Sequence, residues 1–491
     1  MDRLLKINGK DNVAVALEPL KEGDTESGLT LMDDINFGHK AALCDINPGG
    51  KVIKYGFPIG VCTRDIKKGE LVHSHNLASD VKEQIKYEYS GKPLKAGGDA
   101  EKAPTFYGYR RDGGKVGIRN EIWIIPLVGC VNNTAEFIAR AANERFKDKC
   151  GGFHAFLHPY GCSQLGEDHE NTRKVLAGLC RHPNAAGVLR VGLGCENNTL
   201  DSFLPLLGDC DRSRIKTLVT QNCGDERSEG IRILGELADC AARQERAEIS
   251  ASELIIGLKC GGSDALSGIT ANPLCGRLTD IFTGFGGSAL MTETPEMFGA
   301  ETILMERSAD IDTFEKQAAM INGFKNYFVS HGMAVYENPS PGNKEGGITT
   351  IEEKSLGCTQ KGGTAAVVDV LGYAEHCKKP GLSLLDGPGN DIVSCTNLAA
   401  AGAHMILFTT GRGTPLGAPV PVLKISSNSA LAEKKKNRTD YNAGSILDGK
   451  SFCDGAAELL ALVLQTASGK LTRSEQNGNR DMAIFKSGVT L

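Results

Sequence analysis

Three times between residues 120 and 200, an apolar run ends in Gly-Cys and gives way to a helical pattern. The run 122–128 leads into Gly129-Cys130 and then a helical stretch reaching Phe146, with Asn133 and Glu136 spaced as a capping box. A short run after residue 153 passes through His158-Pro159-Tyr160 to Gly161-Cys162, and the run 186–193 ends in Gly194-Cys195. An unbroken apolar run of this length suits a strand buried on both faces. Repeated strand, turn and helix units predict a mainly parallel sheet wrapped by helices. Ligands of such sheets bind beyond the carboxyl ends of the strands, so three thiols at three equivalent ends can converge on one crevice.

The rest of the chain divides around this region. Residues 1–76 read as β-rich: segments such as 12–17 and 50–55 are short, partly alternating and punctuated by Gly or Pro. Residues 77–104 read as a linker, with Ser90-Gly91-Lys92-Pro93 and Gly97-Gly98-Asp99 giving a polar stretch without core periodicity. The α/β rhythm occupies 105–250. A further α/β domain is expected over 251–491, with strands at 254–260, 365–371 and 404–409 and long loops between them. At 491 residues the chain exceeds one ordinary core.

Composition removes several classes of function. The formal charge of −5 comes from 55 basic and 60 acidic side chains, and the nearest thing to a basic block is Lys434–Lys436. No nucleic-acid footprint follows from that. No apolar run is long enough to span a bilayer, and the first residues turn polar at once without a secretory core. A cytoplasmic enzyme is expected, with its 16 cysteines mostly reduced. No dinucleotide fingerprint, P-loop or nucleophile elbow is present.

Four constellations can carry chemistry. His73-Ser74-His75-Asn76 places two imidazoles on one face if extended, suiting Fe, Zn or Mn; it can equally be a surface loop. Cys130, Cys162 and Cys195 can hold an iron–sulfur cluster or a soft divalent metal, or pack as small hydrophobes. His169 follows Tyr160-Gly161-Cys162-Ser163-Gln164 near a predicted helix start, where it can act as a general acid or base or simply sit as a polar residue. The loop 336–347 offers Asn343 and Lys344 for a substrate carboxylate. Arg412, followed by Gly413, is a second anion clamp through its planar fork.

Thirteen stretches in order along nearly the whole chain, among them GHKAAL (38–43), HSHN (73–76), YGCSQLGEDH (160–169), CGGSDALSGITANP (260–273), TETPEMFGAE (292–301), YENPSPGNKEGGITT (336–350), KSLGCTQKGG (354–363) and TTGRGTP (409–415), resemble the altronate/galactarate dehydratase family. Cys275 and Asn222-Cys223 depart from the pattern, which argues against a special role for those two thiols. The resemblance implies an N-terminal SAF-type β-clip domain followed by two α/β portions. It also implies dehydration of D-altronate to 2-dehydro-3-deoxy-D-gluconate in hexuronate breakdown, with ferrous iron as the metal and Mn2+ as its substitute.

On that basis His73, His75 and His169 are the expected acid–base groups. Cys130, Cys162 and Cys195, or alternatively His73 and His75, are the expected iron or iron–sulfur ligands. Asn343, Lys344, Arg412 and Gly413 are the expected substrate contacts. A homodimer acting on a small sugar acid, with neither nucleic acid nor membrane as partner, completes the expectation. The competing readings are a galactarate dehydratase, a sulfo-lyase acting on a sulfonated hydroxy acid, and a non-catalytic sugar-acid binding protein.

Overall fold

Apolar continuity becomes burial in the computed structural model, which describes residues 3–89, 102–111, 113–208 and 210–491. The strand Glu121–Pro126 has every residue buried, as does Ala185–Gly192. They lie side by side and parallel in a four-stranded sheet ordered Phe153–Ala155, Glu121–Pro126, Ala185–Gly192, Ile215–Val219. The expected helices follow: Asn132–Phe146 packs on one face and Gly166–Arg181 on the other.

The third domain repeats this logic on a larger scale. Its seven strands run parallel in the order Val367–Leu371, Gly381–Leu385, Ser288–Met291, Ile255–Cys260, Met405–Thr410, Val422–Ser426, Tyr441–Asn442. The two α/β domains share a core in which Val175, Leu176 and Leu179 of one meet Leu398, Ala399 and Ala400 of the other. Gly178 faces the Ala400 backbone so closely that a Cβ there would overlap it.

The N-terminal region is all β, as its short punctuated segments predict. Leu4–Leu5, Val13–Ala16, Lys40–Ala42 and Leu71–Val72 form one antiparallel sheet, and Lys51–Lys54, Phe57–Cys62 and Leu77–Ala78 another. The hairpin at 51–62 turns through Tyr55 and Gly56 with φ of 61° and 80°, the paired left-handed residues that a tight hairpin turn requires. Ser90–Asp99, the core of the expected linker, lies outside the described residues. The segment before it runs along the third domain: Tyr87 Oη donates to Glu301 (2.6 Å), and Asn322 Nδ2 donates to the Ile85 carbonyl (3.2 Å). Among the described residues, no helix is long and apolar enough to cross a membrane.

What seats the β domain is a buried charge triad. Glu353, on a helix Ile351–Cys358 without one exposed residue, accepts from Lys40 Nζ (2.9 Å) and Lys54 Nζ (2.7 Å). Thr349 adds its backbone N–H (2.8 Å) and hydroxyl (2.7 Å) to the same carboxylate. Burial disfavours the Glu353 anion, but the two ammonium groups outweigh it and hold its carboxyl far below the usual range. Burial draws Lys40 down to about 8 even so. Removing one member of a buried ion pair strands the others and costs about 3–5 kcal/mol. Glu353→Ala should lose stability on that scale in urea unfolding at neutral pH, whereas truncating the exposed Glu433 should cost well under about 1 kcal/mol.

Candidate active site at the switch point of the large sheet

The chain enters the large sheet at Ile255–Cys260, adds Ser288–Met291 on one side and later Met405–Thr410 on the other. Neighbouring loops therefore leave in opposite directions at the carboxyl ends of Ile255–Cys260 and Met405–Thr410, the switch point at which sheets of this kind bind their ligands. Two glycine-rich loops line it. Gly411 N–H (3.1 Å) and Arg412 N–H (3.0 Å) both donate to the Gly262 carbonyl. Asp264 binds the loops together: its Oδ1 accepts from the Ser267 and Ser427 hydroxyls (both 2.8 Å), and its Oδ2 from Asn428 Nδ2 (3.1 Å). A Cβ on Gly411 would overlap the Asp264 carboxyl, and one on Gly261 would overlap Phe408 and the Asp391 carboxyl. Glycine is needed at both positions for space.

Beneath the loops lies a buried set of charges and thiols drawn from distant parts of the chain. Lys259 Nζ pairs with Glu293 Oε1 and, at 2.8 Å, with Asp391. Lys361 Nζ stands 4.0 Å from Glu293 Oε2. Lys354 Nζ lies 2.8 Å from Glu296 Oε1, and Cys358 Sγ donates to Glu296 Oε2 at 3.1 Å. Cys260 Sγ sits 2.6 Å from Ser263 Oγ, and Cys260 N–H donates to Glu293 at 3.1 Å. Asp391, 36% exposed, is the member that opens toward solvent. Glu293 holds a left-handed backbone (φ 74°, ψ 61°) two residues before Pro295, a strained geometry of the kind that clusters at functional sites.

These neighbours drive two adjacent carboxyls apart. Burial and the Glu296 charge push Glu293 up to about 8 despite Lys259 and Lys361. Burial also opposes ionisation of Glu296, but Lys354, Lys259 and Lys361 prevail and hold it at about 2. The neighbouring Cys358 and then Lys361 lower Cys260 against burial, while Cys358 itself is driven up. The result is one carboxyl raised, its neighbour lowered and a thiol lowered within one dry cluster. Carboxyls split in this way are the mark of acid–base chemistry.

Of the residues singled out in the sequence, several reach this crevice at its rim. Arg412, 45% exposed, pairs with Glu345 (3.0 Å), and Gly413 takes φ +81° in the same loop with its N–H on Thr410 Oγ1 (2.9 Å). Asn343 is buried and braces the floor: its Nδ2 donates to the Ser263 carbonyl (2.8 Å) and its Oδ1 accepts from Lys354 (3.3 Å). Lys344 is half-buried, and its carbonyl faces His73 Nε2 (3.0 Å). His39, which sequence reasoning passed over, stacks on His73 with centroids 5.1 Å apart.

The expected pairing of His73 with His75 is corrected by the backbone. Residues 73–76 form a turn, not an extended segment, because Asn76 and Leu77 N–H both donate to the His73 carbonyl (both 3.0 Å). His75 is exposed, and both His73 nitrogens are engaged, by Ser74 and by the Lys344 carbonyl. This pair does not fit a metal.

The three thiols do occupy equivalent positions, at the switch point of the smaller sheet. Their loops interlock: Gly129 N–H donates to the Tyr160 carbonyl (2.8 Å), Asn198 N–H to Gly161 (3.1 Å), and Gln221 Nε2 to Cys195 Sγ (3.4 Å). All three are exposed. Among the described residues, no three Cys, His, Asp or Glu side chains are grouped to hold a metal ion, so neither expected ligand set fits iron as it stands. His169 lies in the first turn of the helix Gly166–Arg181 with Nε2 buried and unpaired. Sequence reasoning missed Lys259, Glu293, Glu296 and Lys361. The available signals were a lysine closing an otherwise apolar strand and two glutamates flanking Thr294-Pro295 in a segment buried throughout.

A clip domain seated on two parallel-sheet domains, with carboxyls of opposite shift gathered at a strand-end switch point, is an arrangement suited to acid–base catalysis. Three family profiles match in succession: the altronate/galactarate dehydratase SAF domain over 2–80, the second domain of D-galactarate dehydratase/altronate hydrolase over 108–242, and the C-terminal domain of D-galactarate/altronate dehydratase over 251–490. The chain belongs to the altronate/galactarate dehydratase family, and with it to the hydro-lyases. It is 49% identical to the altronate dehydratase of Escherichia coli K12 over 99% of each chain, and 46% identical to that of Bacillus subtilis 168 over 100% of each. Identity to the galactarate dehydratase (L-threo-forming) of Escherichia coli K12 is 31%, over 98% of this chain and 96% of that one. Gly411→Ala should displace Asp264 and cost about 1–3 kcal/mol in thermal unfolding, with loss of turnover; Gly224→Ala, where a Cβ meets nothing within 4 Å and the backbone is not left-handed, provides the control.

Proposed function

We propose that this chain removes water from D-altronate, giving 2-dehydro-3-deoxy-D-gluconate, in the hexuronate breakdown of the cytoplasm. The observation that carries the substrate is end-to-end likeness to two altronate dehydratases at 49% and 46% identity, against 31% for the galactarate enzyme. Sixteen cysteines without a disulfide accord with a reducing compartment.

The chemistry runs through the buried cluster. Abstracting a proton α to a carboxylate builds a second negative charge on that carboxylate, and Lys259 and Lys361 are the preorganised cations that offset it. Cys260, held as a thiolate, takes the C2 proton. It is a better base than Glu296, whose very low pKa makes it a weak acceptor. Glu293, protonated until about pH 8, gives its proton to the C3 hydroxyl, the C3–O bond breaks and water leaves. The enol so formed shifts its hydroxyl proton to C3 and becomes the 2-keto acid. The thiol proton then returns to the Glu293 carboxylate, which restores the starting state. Arg412 at the rim, its guanidinium now on the exposed Glu345, draws in the sugar-acid carboxylate.

Two measurements check this reading. Keto-acid formation from altronate, galactarate and mannonate, assayed anaerobically with iron supplied, should favour altronate; turnover of galactarate alone, or sulfite release from sulfolactate, would overturn it. Glu293→Gln should lower kcat by about 10²–10⁴-fold with little change in KM. In the wild type, kcat should fall as pH rises through about 8, because the raised carboxyl then loses the proton it must donate. The residual activity of Glu293→Gln should lack that alkaline limb.

A further inference from the structure

The parallel pair Ser288–Met291 and Gly381–Leu385 does not end with its last backbone rung. Two threonines carry it further. Thr292 Oγ1 donates to the Leu385 carbonyl (2.9 Å). Thr294 N–H donates to the Gly387 carbonyl (2.9 Å). The Thr294 hydroxyl donates to Asp386 Oδ1 (2.7 Å), and the same oxygen accepts from the Gly387 N–H (3.2 Å). Thr294 is fully buried, so solvent does not compete for these bonds. One residue thus closes a three-bond clasp on 386–387.

The clasp sits beside the most strained backbone of the site. Glu293, directly before Thr294, is left-handed, and a residue with a Cβ stays so only where its surroundings over-determine it. Glu296 N–H closes the turn from within by donating to the Glu293 carbonyl (2.8 Å), and Pro295 stiffens it. Thr294 fixes the same turn from without. The Glu293 carboxyl reaches Lys259 Nζ and the Cys260 N–H (3.1 Å). Its aim therefore depends on the twist at its own Cα.

The far side of the clasp is itself anchored. Asp386 N–H donates to the Leu371 carbonyl (2.9 Å) and Asn397 Nδ2 to the Asp386 carbonyl (2.8 Å), while Asn397 Oδ1 accepts from the Ala374 N–H (2.7 Å). A Cβ on Gly387 would fall 2.6 Å from Asn397 Nδ2, so only glycine leaves room for the clasp. Asn397 belongs to the helix Asp391–Ala400, whose first residue is the second carboxylate on Lys259 (2.8 Å). Both anions of Lys259 hang from one frame: Glu293 through Thr294, and Asp391 through the helix.

We propose that Thr294 is a positioning residue for the dehydration: its hydroxyl, clasped to Asp386 and Gly387, holds the left-handed turn that aims Glu293. The proposal rests on the role of Glu293 as proton donor to the C3 hydroxyl. Thr294 acts through that carboxyl and not on the substrate. Valine keeps the shape of threonine without the hydroxyl, and serine keeps the hydroxyl without the shape, so the two substitutions separate hydrogen bonding from packing.

The test compares kcat, KM and the pH profile of kcat on altronate, assayed anaerobically with iron supplied, in full-length wild type and variants. Thr294→Val should lower kcat by about ten- to a hundred-fold with little change in KM. It should also move the alkaline limb of kcat to lower pH, because a loosened Glu293 escapes the burial that raises it. Thr294→Ser should restore both toward the wild type. Asp386→Ala, which removes the acceptor from the other side of the clasp, should reproduce the valine changes. Thr172→Val serves as the control for a general loss of stability. That residue is a buried threonine of the second domain whose hydroxyl lies 2.9 Å from Gln164 Oε1 and 3.0 Å from the Asp168 carbonyl. It should lower the Tm and leave the limb in place. A limb that stays put in both Thr294→Val and Asp386→Ala, or a serine variant as impaired as the valine one, overturns the proposal and leaves the role of Glu293 standing. If Glu293→Gln keeps the wild-type limb, the reading of Glu293 falls and the proposal falls with it.

Discussion

The helix Ile351–Cys358 carries three charged residues and has no exposed one, and most of what makes this protein a single machine passes through it. Glu353 points to the clip domain and binds Lys40 and Lys54; Lys354 and Cys358 point the other way and hold Glu296. Charges in such a place are costly unless paired: Glu353 and Lys354 have their opposites, while burial pushes the unpaired Glu352 above the usual carboxylate range. The helix is therefore fixed in position by the very groups it positions. Docking of the N-terminal domain and arming of the acid–base cluster are two faces of one rod, so a shift on one side is felt on the other.

The two α/β domains use the same geometry for different ends. Each enters its sheet at a strand with neighbours on both sides, and each gathers cysteines at the crevice this creates. In the large sheet the thiol is buried among lysines and glutamates and becomes a thiolate. In the small sheet Cys130, Cys162 and Cys195 are exposed to water. Position in the fold decides where a reactive group can sit; the charges around it decide whether it reacts.

The parallel sheets, the clip-like start and the family were legible in the sequence because each rests on local pattern: apolar runs, Gly-Cys turns, short punctuated strands. The rim was legible for a related reason. Arg412 and Lys344 sit in glycine- and proline-rich loops that announce themselves. The floor of the site was not. Lys259, Glu293, Lys361 and Asp391 meet only because strand order brings together segments spread over more than a hundred residues, and no spacing rule encodes that. The histidine pair misled for a simpler cause. Alternation holds only in an extended chain, and Asn76 closes 73–76 into a turn by giving its own N–H to His73 and accepting from it through Oδ1 (2.9 Å).

The Glu353 triad also bears on how such proteins can be rebuilt. Lys40 and Lys54 belong to strands of the clip, while their shared carboxylate belongs to a helix some three hundred residues on. A clip exchanged between two relatives is therefore a graft of two positive charges as much as of a shape. A host with a carboxylate at the matching helical position would accept it; one without would be left with two bare cations in a dry seam. Recombination among these enzymes is constrained at that seam, however alike the surfaces on either side of it.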